Sequence, residues 1–535
     1  MKIFLIAINA RFTHSNLALR YLRSYTNKTN YPTTLIEFTI NQNIDEILEE
    51  LVNIKPDVLC FSAYIWNSVF LKKILSVIGK ILPNTKIVLG GPEVSYNADL
   101  WIKKHDSIDY IISGAGEAGW HYLLDKAFQV SEKIIAKTNY LFSEIPFPYL
   151  EDEFPDLNQK YIYYESSRGC PFKCSYCLSS RLDQGLDYRD LELVKQELNW
   201  LISKSPKIIK FVDRTFNSNN KRAREIWQFL IDSGTSTKFH FEIHPSLLTE
   251  FDFEVLSIAP KDLFQFEIGI QSTNPHTIKE IGRFEKWEKI KYNISKLLEI
   301  ENIHSHSDMI VGLPFEDKAK TIESFNNIYT LKADHFQVGF LKVLPGTEMS
   351  EKTDEYDIVA HDFPPYEILQ NQWMEFDDIR NFKNVEHVLE LLSNSDKFST
   401  FLDNMIPKFP SPFHFFEAVS PFFKEVRSAK WEKSASALLV FCSSNFPNDL
   451  LFSKDCLKWD FCLTSKVKFF PKILDDYLPY KDLYHELIEN NDELNLSYQQ
   501  FKKSLIFQPE TDKFSELYLN GNQLAVVLKD RIEFI

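Results

Sequence analysis

The chain has 535 residues, and 60 Lys and Arg against 75 Asp and Glu give a formal net charge of −15. This length predicts about three domains of roughly 150 residues each. We expect no membrane span because no apolar run approaches about 18 residues. Because the chain is so acidic, it should repel the phosphates of nucleic acid, and a large RNA is disfavoured as a partner. Only seven cysteines, with no signal-peptide pattern after Lys2, indicate the reducing cytoplasm.

Residues 1–138 alternate short apolar runs with amphipathic stretches. The predicted strands are Lys2–Ile8, Thr33–Phe38, Asp57–Ala63, Lys86–Leu89 and Asp109–Ile112. The predicted helices are Asn16–Tyr25, Ile44–Asn53, Ser68–Leu82, Ala98–Lys103 and Ala118–Phe128. This order predicts an α/β domain with a doubly wound, flavodoxin-like parallel sheet, which binds ligands at the carboxyl ends of its strands. The loops expected at that edge are 9–14, 62–66, 90–93 and 114–117.

A short connector follows at residues 139–159, where prolines and charges lack periodicity and indicate a linker. Its aromatic residues Phe142, Phe147 and Tyr149 need to be shielded from water, so we expect the linker to lie along the protein surface.

A loop with three cysteines comes next, Ser166-Ser167-Arg168-Gly169-Cys170-Pro171-Phe172-Lys173-Cys174-Ser175-Tyr176-Cys177. Closely spaced thiolates are the ligands that hold iron–sulfur clusters. A structural zinc site needs a fourth ligand, and the nearest histidines, His121 and His240, are distant in sequence. An odd number of cysteines in the loop also argues against disulfides. We therefore interpret the loop as a cluster site with one iron left open.

Strands and helices recur over residues 160–372. The predicted strands are Tyr161–Ser166, Ile208–Val212, Phe239–His244, Phe264–Ile270, His304–Val311 and His335–Val343. The predicted helices are Leu191–Ser203, Lys221–Ser233, Glu285–Glu299 and Ala319–Leu331. Six such units predict a partial (β/α) barrel, with its active site at the carboxyl ends of the strands.

The barrel strands alternate apolar and polar residues. The polar set comprises His240, Glu242, His244, Gln265, Glu267, Gln271, His304, His306, Asp308, His335 and Gln337. Successive strand residues point to opposite faces, so this set should line the barrel interior, where unpaired polar groups are costly. A self-satisfied hydrogen-bond network explains any single member, whereas the whole set favours a binding chamber.

The spacing C-x3-C-x-(aromatic)-C resembles the signature of the radical SAM superfamily. The resemblance implies that Cys170, Cys174 and Cys177 hold a [4Fe-4S] cluster, with Tyr176 beside it. S-adenosylmethionine (SAM) would chelate the open iron, and an electron would cleave it to methionine and a 5'-deoxyadenosyl radical. By position in the same family, the predicted SAM-binding residues are Tyr176, Asp213, Glu242, Glu267, Gln271, Ser272 and Asp308.

The first domain is similar to the cobalamin-binding domain of B12-dependent radical SAM enzymes. The Gly-Gly-Pro loop and the Gly-x-Gly-Glu turn carry this resemblance. It implies a cobalamin site that comprises Asn9, Ser62, Tyr64, Gly90, Gly91, Pro92, Gly114, Gly116 and Glu117. The string Asp-x-His-x-x-Gly is absent, so the resemblance implies cobalamin without a histidine ligand from that position. We predict a capping or surface role for His14.

Residues 373–535 form a predicted small α+β accessory domain. We expect a turn at 410–416 leading into a helix, a buried strand at Ala435–Cys442, a helix at Lys481–Glu489 and a hairpin at Gln523–Ile535. An auxiliary cluster on Cys442, Cys456 and Cys462 is disfavoured because their spacing is wide.

The sequence therefore predicts a radical SAM enzyme, with cobalamin-dependent methyl transfer to an unreactive centre as the leading hypothesis. A radical rearrangement or oxidation, with or without cobalamin, is the second hypothesis. A non-catalytic cobalamin or redox sensor is the third. Each enzyme hypothesis requires an external electron donor such as flavodoxin or ferredoxin.

Overall fold

The computed structural model describes residues 1–26, 31–137, 141–181, 185–428, 430–465, 470–474, 505–522, 525–527 and 532–534. Two compact units divide the chain, Met1–Ile379 and Arg380–Ile535. The first unit contains both parallel sheets. The finer division at residues 138, 159 and 372 stays a prediction.

The N-terminal sheet has six parallel strands in the order β2-β1-β3-β4-β5-β6. They are β1 Ile3–Asn9, β2 Thr33–Thr39, β3 Val58–Ser62, β4 Lys86–Gly90, β5 Tyr110–Ile112 and β6 Ile134–Ile135. The helices are α1 Leu17–Thr26, α2 Ile44–Asn53, α3 Ser68–Ile81, α4 Pro92–Ser95, α5 Ala98–Lys104 and α6 Gly116–Asp125. Apolar cores cover both faces of the sheet. The doubly wound prediction is confirmed, with a sixth strand added.

The connector packs against the first domain. It has two short 3-10 turns and helix α7, Phe154–Leu157. Phe142 and Tyr149 are buried, and Arg23 of α1 donates to Glu153 at 2.6 Å. The expectation that this segment lies along the protein is confirmed.

The central sheet also has six parallel strands, in the order β14-β13-β12-β11-β10-β7. They are β7 Ile162–Tyr164, β10 Ile208–Phe211, β11 Lys238–Ile243, β12 Phe264–Gln271, β13 His304–Val311 and β14 His335–Phe340. A two-stranded antiparallel ladder, β8 Ser167–Arg168 and β9 Asp187–Tyr188, flanks the cysteine loop. The helices are α8 Leu191–Ser203, α9 Asn220–Asp232, α10 Glu250–Ser257, α11 Pro275–Glu280, α12 Trp287–Leu298 and α13 Lys318–Tyr329. The partial-barrel prediction is confirmed.

Short elements follow the barrel. They are α14 Glu348–Glu351, β15 Val359–Ala360, β16 Ile368–Gln370 and α15 Phe376–Leu392. Tyr366 donates its phenol hydroxyl to Glu93 of α4 at 2.5 Å, which ties this segment to the N-terminal sheet.

The second unit is mainly helical. Its elements are α16 Ser399–Met405, α17 Pro412–Val419, α18 Trp431–Asn445, α19 Leu450–Thr464, β17 Leu505–Phe507, α20 Asp512–Tyr518, β18 Ala525–Val527 and β19 Ile532–Phe534. The predicted strand Ala435–Cys442 is wrong, because these residues lie within α18. The expected hairpin is present as the antiparallel pair β18 and β19. The predicted helix Lys481–Glu489 lies outside the described residues. Across the parts of the chain that the structure describes, no helix is both long and apolar enough for a membrane span.

Candidate functional site

The three cysteines lie on the loop that follows β8. Cys170, Cys174 and Cys177 are partly exposed free thiols, and the amide of Cys177 donates to the Cys174 carbonyl at 3.1 Å in a tight turn. Among the described residues, no three His, Cys, Asp or Glu side chains converge as a metal site, and this includes the three thiols. The fit to an iron–sulfur cluster rests on three accessible sulfur donors within one short loop.

Asp213, two residues after the end of β10, anchors the start of this loop. Its carboxylate accepts hydrogen bonds from the Ser166 amide at 2.9 Å and from the hydroxyls of Ser166 and Ser167 at 2.6 Å each. Burial raises the pKa of Asp213 to about 6, although these donors oppose the rise. A SAM contact for Asp213 stays a prediction, but its loop-anchoring contacts are already in place.

The far side of the loop rests on the segment after α11. The Ser175 amide donates to the Ile281 carbonyl at 3.0 Å. Gly282 has φ +77°, and a Cβ there would lie 2.5 Å from the Lys173 carbonyl oxygen. Only glycine fits such close approach in this left-handed conformation. The Met349 amide also donates to the Ser175 carbonyl at 2.9 Å.

A buried cation that the sequence reasoning missed, Arg283, lies beside the loop. Burial lowers the pKa of Arg283, but interactions with Tyr176, Cys174 and Glu285 outweigh it and raise this pKa above its usual value. Arg283 donates to the Gly269 carbonyl at 3.1 Å. Burial raises the pKa of the Cys174 thiol to about 11, and Arg283 opposes this rise. Arg283 lies outside the strands whose alternating residues identified the other candidates, so no sequence pattern predicts a role for it.

His244 also braces the loop instead of facing an open chamber. Its ring stacks on Phe172 with centroids 4.4 Å apart, and its Nε2 lies 2.9 Å from a carboxylate oxygen of Glu285. Burial lowers the pKa of His244, although the Glu285 hydrogen bond acts in the opposite direction.

The polar residues of the barrel strands share a register. Successive strands align Glu242 with Glu267, Glu267 with His306, and His306 with His335. His240 Nε2 lies 3.2 Å from Glu267 Oε2, and Gln265 Nε2 lies 2.8 Å from His306 Nε2. Some of the set is therefore mutually satisfied. Among the described residues, Asp308 Oδ1 and His240 Nδ1 are buried without a hydrogen-bond partner, as expected for atoms that face a ligand.

Burial controls the protonation of this chamber. It raises the pKa of Asp308 to about 8, with Glu267 and Glu242 adding to the rise, and that of Glu242 to about 7. Burial lowers the pKa of His306 to about 4, helped by His335 and His304. The hydrogen bond from His240 lowers the pKa of Glu267. At neutral pH the chamber thus combines a protonated Asp308 with an ionised Glu267.

Two further predicted SAM residues lie at the end of β12. Gln271 follows a register irregularity and has φ +73°. Ser272 is buried, and its hydroxyl donates to Glu316 at 2.8 Å. Burial raises the pKa of Glu316 to about 7. Ser272 therefore has a structural partner, and its proposed SAM contact stays a prediction.

The predicted cobalamin residues gather at the carboxyl edge of the N-terminal sheet. Strands β1, β3 and β4 end at Asn9, Ser62 and Gly90. The remaining members lie in the loops or helix starts beyond these strands and β5, namely Tyr64, Gly91, Pro92, Gly114, Gly116 and Glu117. Parallel strands bring such loops together.

Several contacts shape this edge. A Cβ on Gly91, which has φ +114°, would lie 2.5 Å from the Ala63 carbonyl oxygen, whereas one on Gly114 would meet nothing within 4 Å. Tyr64 stacks on Trp66 with centroids 4.3 Å apart, and Trp66 remains 44% exposed. Open backbone beside an accessible indole fits a large flat ligand such as a corrin ring. His14, in contrast, bonds to the Tyr163 hydroxyl.

Ion pairs of Arg168 join the carboxyl edge of the N-terminal sheet to the start of the cysteine loop. Arg168, two residues before Cys170, donates to Glu117 of the Gly-x-Gly-Glu loop at 2.9 Å and to Glu165 at 2.8 and 2.9 Å. Burial raises the pKa of Tyr64 to about 12, and Arg214 of the barrel opposes the rise. The loops of the first sheet thus face the loop that carries the cysteines.

Three family models match successive parts of the chain. They are described as B12 binding domain over residues 4–120, Radical SAM superfamily over residues 164–328, and Protein of unknown function (DUF4080) over residues 354–519.

The cobalamin-dependent radical SAM methyltransferase TokK of Streptomyces tokunonensis is 21% identical over 399 residues, which cover 67% of this chain and 58% of TokK. The anaerobic magnesium-protoporphyrin IX monomethyl ester cyclase of Synechocystis sp. is 28% identical over 258 residues, which cover 42% of this chain and 49% of the cyclase. The chain thus spans less than two thirds of either relative. The structure of the cobalamin-dependent radical enzyme OxsB with aqua-cobalamin bound has the same fold, with TM-score 0.60 and 14% identity over 94% of this chain and 83% of OxsB.

The central sheet, its cysteine loop and the family match over residues 164–328 define a radical SAM domain, which binds a [4Fe-4S] cluster and SAM. More particularly, the chain belongs to the cobalamin-dependent radical SAM superfamily, because its radical SAM domain follows a B12-binding domain for cobalamin and precedes a C-terminal DUF4080 domain. The family and cofactor predictions are confirmed.

Proposed function

We propose that this protein is a methyltransferase that uses cobalamin and radical SAM chemistry to methylate an unreactive carbon or phosphorus centre. The observation that carries the proposal is the bridge from Glu117 through Arg168 to Glu165. It holds the B12-type loops against the cysteine loop, so that both cofactors would act on one substrate. The relationship to TokK, which is named a methyltransferase, supports the same reaction class.

When bound, the cluster and SAM supply a 5'-deoxyadenosyl radical, and cobalamin supplies the methyl group. The chain itself binds, orients and excludes water. Cys170, Cys174 and Cys177 would hold the cluster, while Asp213 and Gly282 position their loop. Burial raises the pKa of Asp308 to about 8, so its carboxyl carries a proton at neutral pH. Because Oδ1 of this carboxyl is buried without a hydrogen-bond partner, we assign Asp308 as a hydrogen-bond donor to bound SAM or substrate.

The test uses the full chain, purified and reconstituted without oxygen in the presence of cobalamin. We expect about four irons per chain and release of 5'-deoxyadenosine when dithionite and SAM are added. With SAM whose methyl carries deuterium, an anaerobic lysate fraction should yield a product labelled at the transferred methyl. A Cys174→Ala variant serves as the matched control and should lose both the iron and the 5'-deoxyadenosine. Labelled product from that variant would contradict the proposal.

The second candidate, a radical oxidation or rearrangement, is favoured by the similarity to the Synechocystis cyclase. It predicts 5'-deoxyadenosine without label transfer and a product that differs from its substrate in hydrogen content or connectivity. A third outcome is a protein that holds iron and cobalamin but releases no 5'-deoxyadenosine and transfers no label. That outcome would instead support a sensor.

A further inference from the structure

The hairpin of β15 and β16 is fixed to the edge of the central sheet, just beyond the end of β14. The Ile368 amide donates to the Leu341 carbonyl at 2.9 Å. The Val343 amide donates to the Tyr366 carbonyl, also at 2.9 Å. We call residues 359–371 the hairpin segment. Its backbone therefore moves with the barrel.

One end of the hairpin segment packs against the end of β13. The side-chain amide of Asn371 donates to the Gly312 carbonyl at 2.9 Å. A Cβ on Gly312, which has φ +88°, would lie 3.0 Å from the Ile368 side chain. Gly312 directly follows β13, the strand that carries Asp308. The hairpin segment thus lies close to the part of the barrel where SAM is predicted to bind.

Tyr366 carries the contact of the hairpin segment to the N-terminal sheet. Its hydroxyl donates to Oε1 of Glu93 at 2.5 Å, and the Ser68 hydroxyl donates to the same oxygen at 2.8 Å. All three residues are buried, where a carboxyl without donors would be costly. Burial and the hydrogen bond to Glu93 raise the pKa of Tyr366, so the phenol keeps its proton and remains a donor at neutral pH. Glu93 therefore relies on a donor that the barrel side of the molecule supplies.

The backbone of Tyr366 is in an unfavourable conformation. Its φ of +58° lies in the left-handed region, which a bulky residue seldom adopts. Such a conformation persists only where the surrounding structure holds it. The Val343 amide and the Glu93 carboxyl are the contacts that hold it here. Tertiary contacts, and not a local turn preference, thus determine where this phenol lies.

Glu93 ends the loop Gly90-Gly91-Pro92-Glu93, whose first three residues are predicted to contact cobalamin. Its amide donates to the Ala63 carbonyl at 3.3 Å, and the Ala63 amide donates to the Gly90 carbonyl at 2.7 Å. Gly91 approaches the Ala63 carbonyl too closely to carry a side chain. The loop is thus fixed on one side by the segment after β3 and on the other side by Tyr366, through Glu93.

We propose that Tyr366 is a positioning residue for cobalamin. By holding Glu93, it keeps the Gly-Gly-Pro loop, and the corrin ring that would lie against this loop, in a constant position relative to the mouth of the barrel. The inference rests on the proposed function, because methyl transfer requires cobalamin to stay close to the substrate radical. It gives a role to the beginning of the region that matches the DUF4080 model, residues 354–519.

Three variants of the full chain test the role of Tyr366. They are Tyr366→Phe, which removes only the hydroxyl, Glu93→Ala, which removes the acceptor, and the two substitutions combined. Tyr356→Phe is the matched control, because Tyr356 is also buried and donates to a carboxyl, that of Glu280 on α11. Equilibrium dialysis with aquacobalamin would measure the affinity of each protein. Assays with SAM whose methyl carries deuterium would then measure 5'-deoxyadenosine and transferred methyl at saturating cobalamin.

We expect Tyr366→Phe to bind cobalamin about tenfold more weakly, which corresponds to about 1.4 kcal/mol. The double variant should lose no more affinity than Glu93→Ala alone, because both substitutions remove the same hydrogen bond. Tyr356→Phe should bind as the wild type does, and iron content should be equal in all five proteins. Tyr366→Phe should also release more 5'-deoxyadenosine per methyl transferred, a ratio that a general loss of stability would not change.

Wild-type affinity in Tyr366→Phe, additive losses in the double variant, or an equal loss in Tyr356→Phe would overturn the inference. If the wild type still transferred the labelled methyl, each of these results would leave the proposed function standing. A wild type that binds cobalamin and releases 5'-deoxyadenosine without transferring the label would instead contradict the proposed function, whatever the affinities of the variants.

Discussion

Replacing Asp308 with Asn should stabilise the ligand-free protein, increasingly so as the pH rises. Burial raises the pKa of this carboxyl from 3.8 to about 8. Between those values the folded state holds a proton that the unfolded chain releases, so the wild type loses stability as the pH rises through this window and loses no more above about pH 8. Asn needs no proton and has nearly the same shape.

The size of the effect follows from the shift. Each pKa unit corresponds to about 1.4 kcal/mol, and about three units of the window lie below pH 7. The penalty on the wild type at pH 7 is therefore about 4 kcal/mol. Relief of this size would raise the melting temperature of the barrel domain predicted at residues 160–372 by roughly 8–16 °C if that domain, which falls within 150–250 residues, unfolds as one unit.

The assay is thermal unfolding of both proteins without cofactors at intervals from pH 5 to 9. The advantage of Asp308→Asn should grow up to about pH 8 and then level off. Infrared difference spectra at pH 6.5 should also show loss of one protonated carboxyl band. Glu267→Gln is the contrasting control, because the hydrogen bond from His240 lowers the pKa of Glu267 and its removal should destabilise the protein at neutral pH. An advantage for Asp308→Asn that does not vary with pH would refute the reasoning.

Three further outcomes follow from the braces of the site. Gly282→Ala should cost about 1–3 kcal/mol, because the new Cβ meets the Lys173 carbonyl and φ is positive; iron content after reconstitution and the melting temperature would both fall. Asp213→Asn should leave a buried donor facing Ser166, cost about 1–3 kcal/mol and lower bound iron, as colorimetric assay would show. Glu117→Gln should weaken cobalamin retention on gel filtration while leaving iron content near wild type, and equal loss of both would contradict the bridge.

Much of the barrel could be predicted because each strand carries its own alternation. Phe239, Phe241 and Ile243 are buried on one face, and His240 and Glu242 occupy the other. A period of two identifies both the strand and its inward face. The three cysteines could also be predicted as ligands, because their spacing is local in sequence.

The wrong strand at Ala435–Cys442 shows the limit of short apolar runs. Within α18 the buried residues include Ser434, Ala435, Leu438, Phe441 and Cys442, a helical spacing that extends beyond the apolar run itself. Periodicity alone does not separate a buried helix from a buried strand over eight residues.

The contacts that support the cysteine loop could not be predicted from the sequence for another reason. Arg283 and Glu285 reach His244 and Tyr176 across long separations in the chain, and only tertiary packing brings them together. Asp213 was singled out for a ligand, yet its three serine contacts are fixed by the same kind of packing.

The anchoring of the cysteine loop has a consequence for survival in air. Hydrogen bonds at Ser166, Ser167 and Ser175, none of which involve iron, hold the loop in place. Oxygen that strips the cluster should thus leave a folded apoprotein in which the cysteine loop keeps its anchors. Loss of the cluster in air should then be reversed by inserting a new cluster into the same chain, without synthesis of a new chain.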